Sequence, residues 1–589
     1  MRAASVASVA SPHVLREYAF LGDGERGALV GPRGDVAWMC APRWHDDAVF
    51  ASLLGVPSAY SVTPVGRSVW GGWYEDGSLI WRSRWVTETG FVECREALAF
   101  PGDVDTAVLL RRVVARSGPA HVRILLAPRA EFGRYGLSRL SRADGVWRGG
   151  TGGLHVRWSG AEEARPVAGG ALELELTLQE GEHRDLILEI STKSLARRRL
   201  RDPDSTWEAT EYAWEQSTPS MDVTVAADDA RQSRAFLRGM TSSTGAMVAA
   251  STTSLPERAA QGRNYDYRYA WIRDQCYAGQ AMAACGDVDL LDCAVAFVTE
   301  RVLADGDRLA PAYTIDGRPV PSERSLDLPG YPGATSTVGN WVYEQFQLDN
   351  FGEVLLLLAA AAGKDRLDLE QWRAAEVTVA AIKSRWQEAD SGIWELQPRR
   401  WTHSRLMCAA GLRALGRHAP SRQGAAWTSL ADAIVSDTSA DCVHESGRWM
   451  RSPDDERVDA SLLLPGLRGA VPARDPRTVA TVEAVERELG VKGYVYRFPQ
   501  DARPLGEAEG AFLLCGFHMS MAAHQQGDHT QAMRWFERNR AACGSPGLFT
   551  EEYDVEQRQL RGNYPQAFVH ALLIEAAARL AGPSHVPMT

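Results

Sequence analysis

The pattern of apolar and polar positions changes once along the chain. From about Glu17 to Leu195 the apolar residues come in short alternating runs, such as Val156-Arg-Trp158, Ala171-Leu-Glu-Leu-Glu-Leu-Thr177 and Leu186-Ile-Leu-Glu-Ile190, separated by Gly, Pro and Asp. Many short strands at turn spacing predict an antiparallel sandwich. A basic stretch, Ser194 to Asp204, then leads into Trp207–Trp214 and Gln216-Ser-Thr-Pro-Ser220, which reads as a solvated linker helix. Beyond about Ala230 the period becomes helical. Twelve helices are expected, near 229–246, 273–285, 287–303, 340–363, 367–387, 402–417, 423–436, 457–468, 475–489, 508–525, 529–541 and 564–581. At roughly 30 residues per helix and loop this suits helical hairpins stacked in a ring, and no close repeat points to a solenoid. The expected fold is α+β and multidomain. An N-terminal antiparallel β-sandwich (1–196) and a linker (197–228) precede an (α/α)6 helical barrel (229–589).

Composition narrows the function. The chain has 589 residues, more than one ordinary core accommodates, and a net charge of -11. No basic stripe follows a phosphate backbone, so nucleic acid is not an expected partner. The nine cysteines are scattered without a Cys-x-x-Cys pair, which suits a reducing compartment. No signal peptide is read at the start, and the longest apolar run, Val354 to Gly363, is about half a membrane span. A soluble, cytoplasmic protein without membrane association is expected. Gly22-Asp-Gly-Glu-Arg-Gly27 matches Gly-x-Gly-x-x-Gly, but a nucleotide fingerprint needs a helix to open there. The turn signal Gly31-Pro-Arg-Gly34 that follows indicates a β-hairpin instead. No His/Cys spacing implies a metal, and no cofactor is expected.

Two acidic stretches stand far apart, Gly392-Ile-Trp-Glu395 and Gly547-Leu-Phe-Thr-Glu-Glu-Tyr-Asp554. Inverting cleavage of a glycosidic bond needs two carboxyls on opposite sides of the bond, one to protonate the leaving oxygen and one to deprotonate water. Trp394 beside Glu395 offers the desolvating neighbour that a general acid requires. Glu551, Glu552 and Asp554 form a cluster that is catalytic only if one carboxylate faces a cleft. Gly262 to Asp274 packs four aromatics, three Arg and two Asp into thirteen residues. Such a set holds hydroxyl pairs and stacks on sugar rings, or forms structural ion pairs at a helix start.

Read in order, these segments resemble glycoside hydrolase family 15, the glucoamylase-like enzymes, in the intracellular bacterial branch that includes trehalases. The resemblance runs from Tyr18-Ala-Phe-Leu-Gly-Asp-Gly and Asp35-Val-Ala-Trp-Met-Cys through Thr252-Thr-Ser-Leu-Pro-Glu257 and Arg263-Asn-Tyr-Asp-Tyr-Arg-Tyr-Ala-Trp-Ile-Arg-Asp274. It continues with Gln347-Leu-Asp-Asn-Phe-Gly-Glu353, Gly392–Glu395, Val458-Asp-Ala-Ser-Leu-Leu-Leu464, Glu509-Gly-Ala-Phe-Leu-Leu-Cys515, Leu548–Asp554 and Gly562-Asn-Tyr-Pro-Gln-Ala-Phe568. It implies Glu395 as general acid and Glu551 as general base. Arg273 and Asp274 hold the non-reducing glucose, Tyr267 and Trp394 contact the ring, Glu509 contacts the leaving sugar, and Glu552 supports its neighbour. Tyr265 in place of Trp, Ala270 in place of Cys or Ser, and a short stretch Leu396–Trp401 depart from the family pattern at positions that bear on leaving-group contacts.

The expected function is therefore an inverting, exo-acting α-glucoside hydrolase that releases β-glucose, with trehalose the leading substrate and isomaltose and short α-1,4-glucans close behind. A glycoside phosphorylase and a non-catalytic sugar sensor are the alternatives. The expected partner is a small carbohydrate, and the oligomeric state stays open.

Overall fold

The computed structural model describes residues 11–260, 262–500 and 503–583. The N-terminal part holds three antiparallel sheets. A four-stranded sheet comprises Ala19–Gly22, Gly27–Val30, Val36–Cys40 and Ala48–Phe50. The Gly-rich motif is the turn between its first two strands. Gly22 pairs with Gly27, and the Asp23 carboxylate accepts from the backbone N–H groups of Glu25 (2.9 Å) and Arg26 (3.0 Å). No helix opens there, as the turn signals indicate.

The other two sheets, of four and eight strands, pack face to face through alternating inward residues. The strand Ala59–Pro64 buries every second side chain, and so does the first part of Ala120–Ala127. Between the sheets Arg111, paired with Glu96, lies over the ring of Tyr60. The last strand ends at Ser191. Helix α1 (Pro203–Ser217) follows; Asp202 caps it by accepting from the Ser205 N–H, and Pro203 occupies its first turn.

The remaining helices are α2 (Ala227–Met240), α3 (Ile272–Cys285), α4 (Asp289–Asp305), α5 (Asp349–Ala362), α6 (Leu369–Arg385), α7 (Thr402–Gly416), α8 (Ser421–Asp441), α9 (Leu464–Leu467), α10 (Pro476–Leu489), α11 (Leu513–Gln526), α12 (His529–Arg540) and α13 (Ala567–Ala581). The odd-numbered members of this set form a closed inner ring, in which α3 packs on α5, α5 on α7, α7 on α9, α9 on α11, α11 on α13 and α13 on α3. The even-numbered ones lie outside it. This is the (α/α)6 barrel read from the sequence, helix for helix.

Several boundaries differ from the periodicity. The segment near 457–468 is a 3-10 turn, Ala460–Leu463, followed by the short α9, because Pro465 and Gly466 interrupt regular hydrogen bonding. Helices α5, α11 and α13 begin later than their apolar patterns suggest. Before α5 a 3-10 turn, Trp341–Glu344, is capped by the Asn340 side chain and leaves Trp341 exposed; before α11 and α13 the residues are buried but form loops and strand pairs such as Ala511 with Tyr553 and Phe512 with Glu552.

Inner helices α5 and α7 approach closely at two glycines. A Cβ on Gly352 would lie 2.4 Å from the Met407 backbone, and one on Gly411 would lie 2.5 Å from the Gly352 carbonyl oxygen. Among the described residues no helix is long and apolar enough to cross a membrane.

Gly352→Ala should therefore force α5 and α7 apart and destabilise the protein by about 1–3 kcal/mol, the usual cost of overpacking. Thermal or urea unfolding measures this directly. An unchanged melting temperature would show that the two helices tolerate separation.

Candidate active site

The N-terminal ends of the inner helices surround a cavity, and four loops supply most of its wall. The loop from α2 to α3 contributes Glu257, Arg263, Tyr265, Tyr267 and Trp271, and the first turn of α3 adds Arg273 and Asp274. The α6–α7 loop brings Trp394 and Glu395. The α10–α11 loop brings Arg497, Phe498 and Phe512, and the α12–α13 loop brings Glu551 and Gln566. Two residues more than 150 positions apart, Glu395 and Glu551, thus face one space.

Glu395 sits in a tight turn. The Asp390 carboxylate accepts from the Gly392 N–H (2.7 Å) and the Ser404 hydroxyl (2.9 Å), and the Glu395 N–H bonds to the Gly392 carbonyl at 3.1 Å. Gly392 and Glu395 both have positive φ, 64° and 55°. A non-glycine residue held there is strained by about 1–3 kcal/mol, and the turn's hydrogen bonds maintain it. The Trp271 indole N–H donates to Glu395 Oε1 at 2.9 Å, and Arg273 Nη2 lies 3.6 Å from the same oxygen. Trp394 lines the cavity but turns its own N–H to Asp459 at 2.8 Å. The indole that bonds the Glu395 carboxyl is therefore Trp271, not the sequence neighbour.

Glu551 immediately precedes the strand Glu552–Asp554. Successive side chains of an extended segment point to opposite faces. Glu551 faces the cavity, whereas Glu552 is fully buried behind it, accepting from the Gly510 N–H at 2.6 Å with Arg497 at 3.6 Å. Glu509 also lies behind the wall, held by Arg263 (2.9 Å) and Arg497 (3.1 Å). Glu509, expected at the leaving sugar, does not line the cavity, and neither does Glu552, the expected supporting residue. They serve as counter-charges to the guanidinium of Arg497, which does line it.

The Tyr267 hydroxyl lies 3.2 Å from Glu551 Oε2, and its ring meets Trp271 edge to face with centroids 5.4 Å apart. Two aromatic rings in contact thus link the carboxyls of Glu395 and Glu551. Burial, then the neighbouring Glu257 carboxyl, push Glu551 well above the usual carboxylate range, with Arg497 acting against them. Asp274 is buried and pushed up to about 7, and its Oδ1 has no hydrogen-bond partner among the described residues. Sequence reasoning did not single out Trp271, Tyr277, Arg497 or Glu257. Trp271 and Glu257 stand inside quoted motifs, whereas nothing local distinguishes Arg497.

A family model described as glycosyl hydrolases family 15 matches residues 235–578. The chain belongs to this family. A second model, trehalase-like N-terminal, matches residues 6–162 of the family 15 chain. Trehalases of Mycobacterium tuberculosis and Mycolicibacterium smegmatis are 31% and 30% identical to it; each alignment covers 96% of this chain, and 89% and 91% of the relatives. An isomaltose glucohydrolase of Kribbella flavida is 30% identical over 54% of this chain and 80% of its own length. A bacterial glucoamylase solved in complex with acarbose shares the fold, with a TM-score of 0.72 at 14% identity, covering 98% of this chain and 95% of that one. This family 15 protein is a glycoside hydrolase.

Beneath the cavity of the hydrolase, burial also pushes Asp349 up to about 6 and Glu353 up to about 7. A carboxyl whose folded pKa lies above its unfolded value retains a proton that the unfolded chain has released, so stability falls as pH rises through that interval. Asp349→Asn removes one such carboxyl, so the melting temperature of the variant relative to the parent should rise between about pH 4 and pH 6. A difference between variant and parent that does not change with pH would show that Asp349 does not titrate in that window.

Proposed function

We propose that this chain is an inverting, exo-acting α-glucoside hydrolase that releases β-glucose from the non-reducing end of its substrate, with trehalose the leading candidate. The observation that carries the reading is that Glu395 and Glu551, from separate loops, line one cavity, Glu395 accepting from the Trp271 indole and Glu551 from the Tyr267 hydroxyl. Retaining enzymes need their two carboxyls close together, whereas inverting enzymes leave room for a water. Two trehalases aligned over nearly the whole chain favour trehalose. The shorter match to an isomaltose glucohydrolase keeps isomaltose second.

In this reading Glu395 is the general acid. Its Oε1 is engaged by Trp271 and Arg273, so the proton for the glycosidic oxygen is carried on Oε2. Glu551 is the general base and takes a proton from water on the far face of the sugar. Asp274 Oδ1, buried and unpartnered among the described residues, accepts from a hydroxyl of the non-reducing glucose, and Arg273 donates beside it. Such contacts remote from the scissile bond position the sugar for attack. Trp394 and Tyr267 offer ring contacts. A phosphorylase would have to bring phosphate against Glu551 and the buried Glu257, where like charge repels it. Nine free thiols suit a reducing, cytoplasmic compartment.

Glu395→Gln should lower kcat by about 10²–10⁴-fold while a glucose analogue still binds, since an amide keeps the shape but delivers no proton. Near-normal turnover would remove Glu395 from the acid role. Proton NMR of the first product from trehalose, maltose and isomaltose tests stereochemistry and substrate together. Trehalose should be cleaved fastest, without phosphate consumption, and should give equal initial amounts of β-glucose, from the attacked ring, and α-glucose, from the leaving ring. Two α-glucose per trehalose would mean retention, and the water-activating role of Glu551 would have to be abandoned.

A further inference from the structure

Glu257 lines the cavity, is 4% exposed, and is placed in none of the roles above. Its carboxyl Oε1 lies 3.3 Å from the Tyr267 hydroxyl, the same hydroxyl that lies 3.2 Å from Glu551 Oε2. The backbone holds it in that position. The Glu257 N–H donates to the Arg263 carbonyl (3.0 Å), the Pro256 carbonyl accepts from the Gly562 N–H (2.9 Å), and Arg258 pairs with Asp554 at 2.8 Å. The stretch that carries Glu257 is thereby tied both to the rest of its own loop, which carries Tyr267, and to the loop that carries Glu551.

A phenol has one proton to donate, and two ionised carboxylates only accept. With both carboxyls ionised, the Tyr267 proton satisfies one of them, and two like charges face each other through one buried oxygen. With one carboxyl protonated, donors and acceptors match in sequence: the acid donates to the Tyr267 oxygen, and Tyr267 donates to the other carboxylate. We infer that Glu257 is a positioning residue of the water-activating step: through the single Tyr267 hydroxyl it shares one proton with Glu551 and so sets when Glu551 is ionised. This rests on the reading of Glu551 as general base.

The other charged groups around Glu257 leave it this role. Arg263 and Arg497 face it, but their short contacts go to Glu509, and Arg497 also approaches Glu552. Burial holds the Glu257 carboxyl above the usual range against the pull of those two guanidiniums, and Glu509 reinforces the rise. Tyr265 lies parallel to Tyr267 with ring centroids 6.2 Å apart and adds no formal charge while its phenol is protonated. Glu257 and Glu551 therefore titrate as a pair, whose apparent values belong to both.

The test is the pH profile of kcat/KM for glucose release from the best substrate of the panel. Glu257→Gln removes the like charge but keeps the shape and an N–H donor, so the acid limb should move to lower pH by about half to one unit. Tyr267→Phe removes the shared donor, so the same limb should move up. Opposite shifts from two neighbouring substitutions are not what loosened packing produces, which lowers turnover without moving the limb. An acid limb that stays in place or rises in Glu257→Gln overturns the inference. So does a rise in KM alone, which would make Glu257 a sugar contact. Glu551→Gln separates the two readings. If that variant stays active, the base assignment itself fails. If it is inactive while Glu257→Gln leaves the limb in place, only the shared proton is lost. Should Glu257→Gln fold poorly, Glu257→Asp, which keeps the charge but retracts it, must shift the limb in the folded fraction or the inference falls.

Discussion

The acidic side of the cavity depends on one guanidinium. Arg497 lies against Glu509 and Glu552, its charge sits 4.2 Å from the ring centroid of Phe512, and it opens onto the cavity. Glu257, Glu509, Glu551 and Glu552 are all buried in its neighbourhood. An isolated buried carboxylate is unfavourable by several kcal/mol unless it is paired or takes up a proton. Arg497 and Arg263 neutralise the carboxyls behind the wall. Those facing the cavity, Glu551 and Glu257, are left with the Tyr267 hydroxyl between them, and this difference in pairing divides the acidic residues into structural and chemical sets.

The N-terminal sheets contribute support rather than site residues. Arg268 forms a two-bond ion pair with Asp266 (2.8 and 2.7 Å) and extends to the Asp46 carbonyl at 2.7 Å. The Trp38 indole donates to the Ser251 carbonyl at 2.7 Å, and the Tyr564 hydroxyl donates to the Tyr18 carbonyl at 2.8 Å. These contacts brace the loops on either side of Tyr267 and Glu551 against the first sheet. One hydrophobic core runs without a break from Phe20 and Trp38 into α2, α3 and α13. The motif at Tyr18–Gly24 and the motif at Gly562–Phe568, far apart in the chain, therefore belong to one mechanical unit. A rigid support of this kind keeps reacting groups in place, which is what orientation in catalysis requires.

Much of this was legible along the chain. The twelve barrel helices follow from a sustained helical apolar period, and the strands from alternation, because both patterns are local consequences of backbone geometry. Extended-chain alternation lets only one of Glu551 and Glu552 face a cleft, and the family resemblance selects Glu551. The Gly22–Gly27 motif reads correctly as a turn because its neighbours are strand-like. Helix starts were less legible. The residues just before α11 and α13 are buried like the helices themselves, and composition cannot tell a buried loop from a first turn; before α5 a separate 3-10 turn, Trp341–Glu344, extends the apparent helix.

The contacts that define the chemistry were decided only by the tertiary structure. Trp394 adjoins Glu395 in sequence, yet the bond to the carboxyl comes from Trp271, more than 120 positions away. Arg497 has no distinguishing neighbours, and its importance appears only when Glu509, Glu552 and Phe512 close around it. Glu257 stands in a visible motif, but its tie to Glu551 runs through Tyr267 across more than 280 residues. Sequence by itself determined most of the elements, because these rest on short-range periodicity, and its ordered motifs carried the resemblance that pointed to the family and to Glu395 and Glu551. Which donor meets which carboxyl was left to the folded chain, because hydrogen bonds and charge pairing act over a few ångströms in space and leave no periodic trace along the sequence.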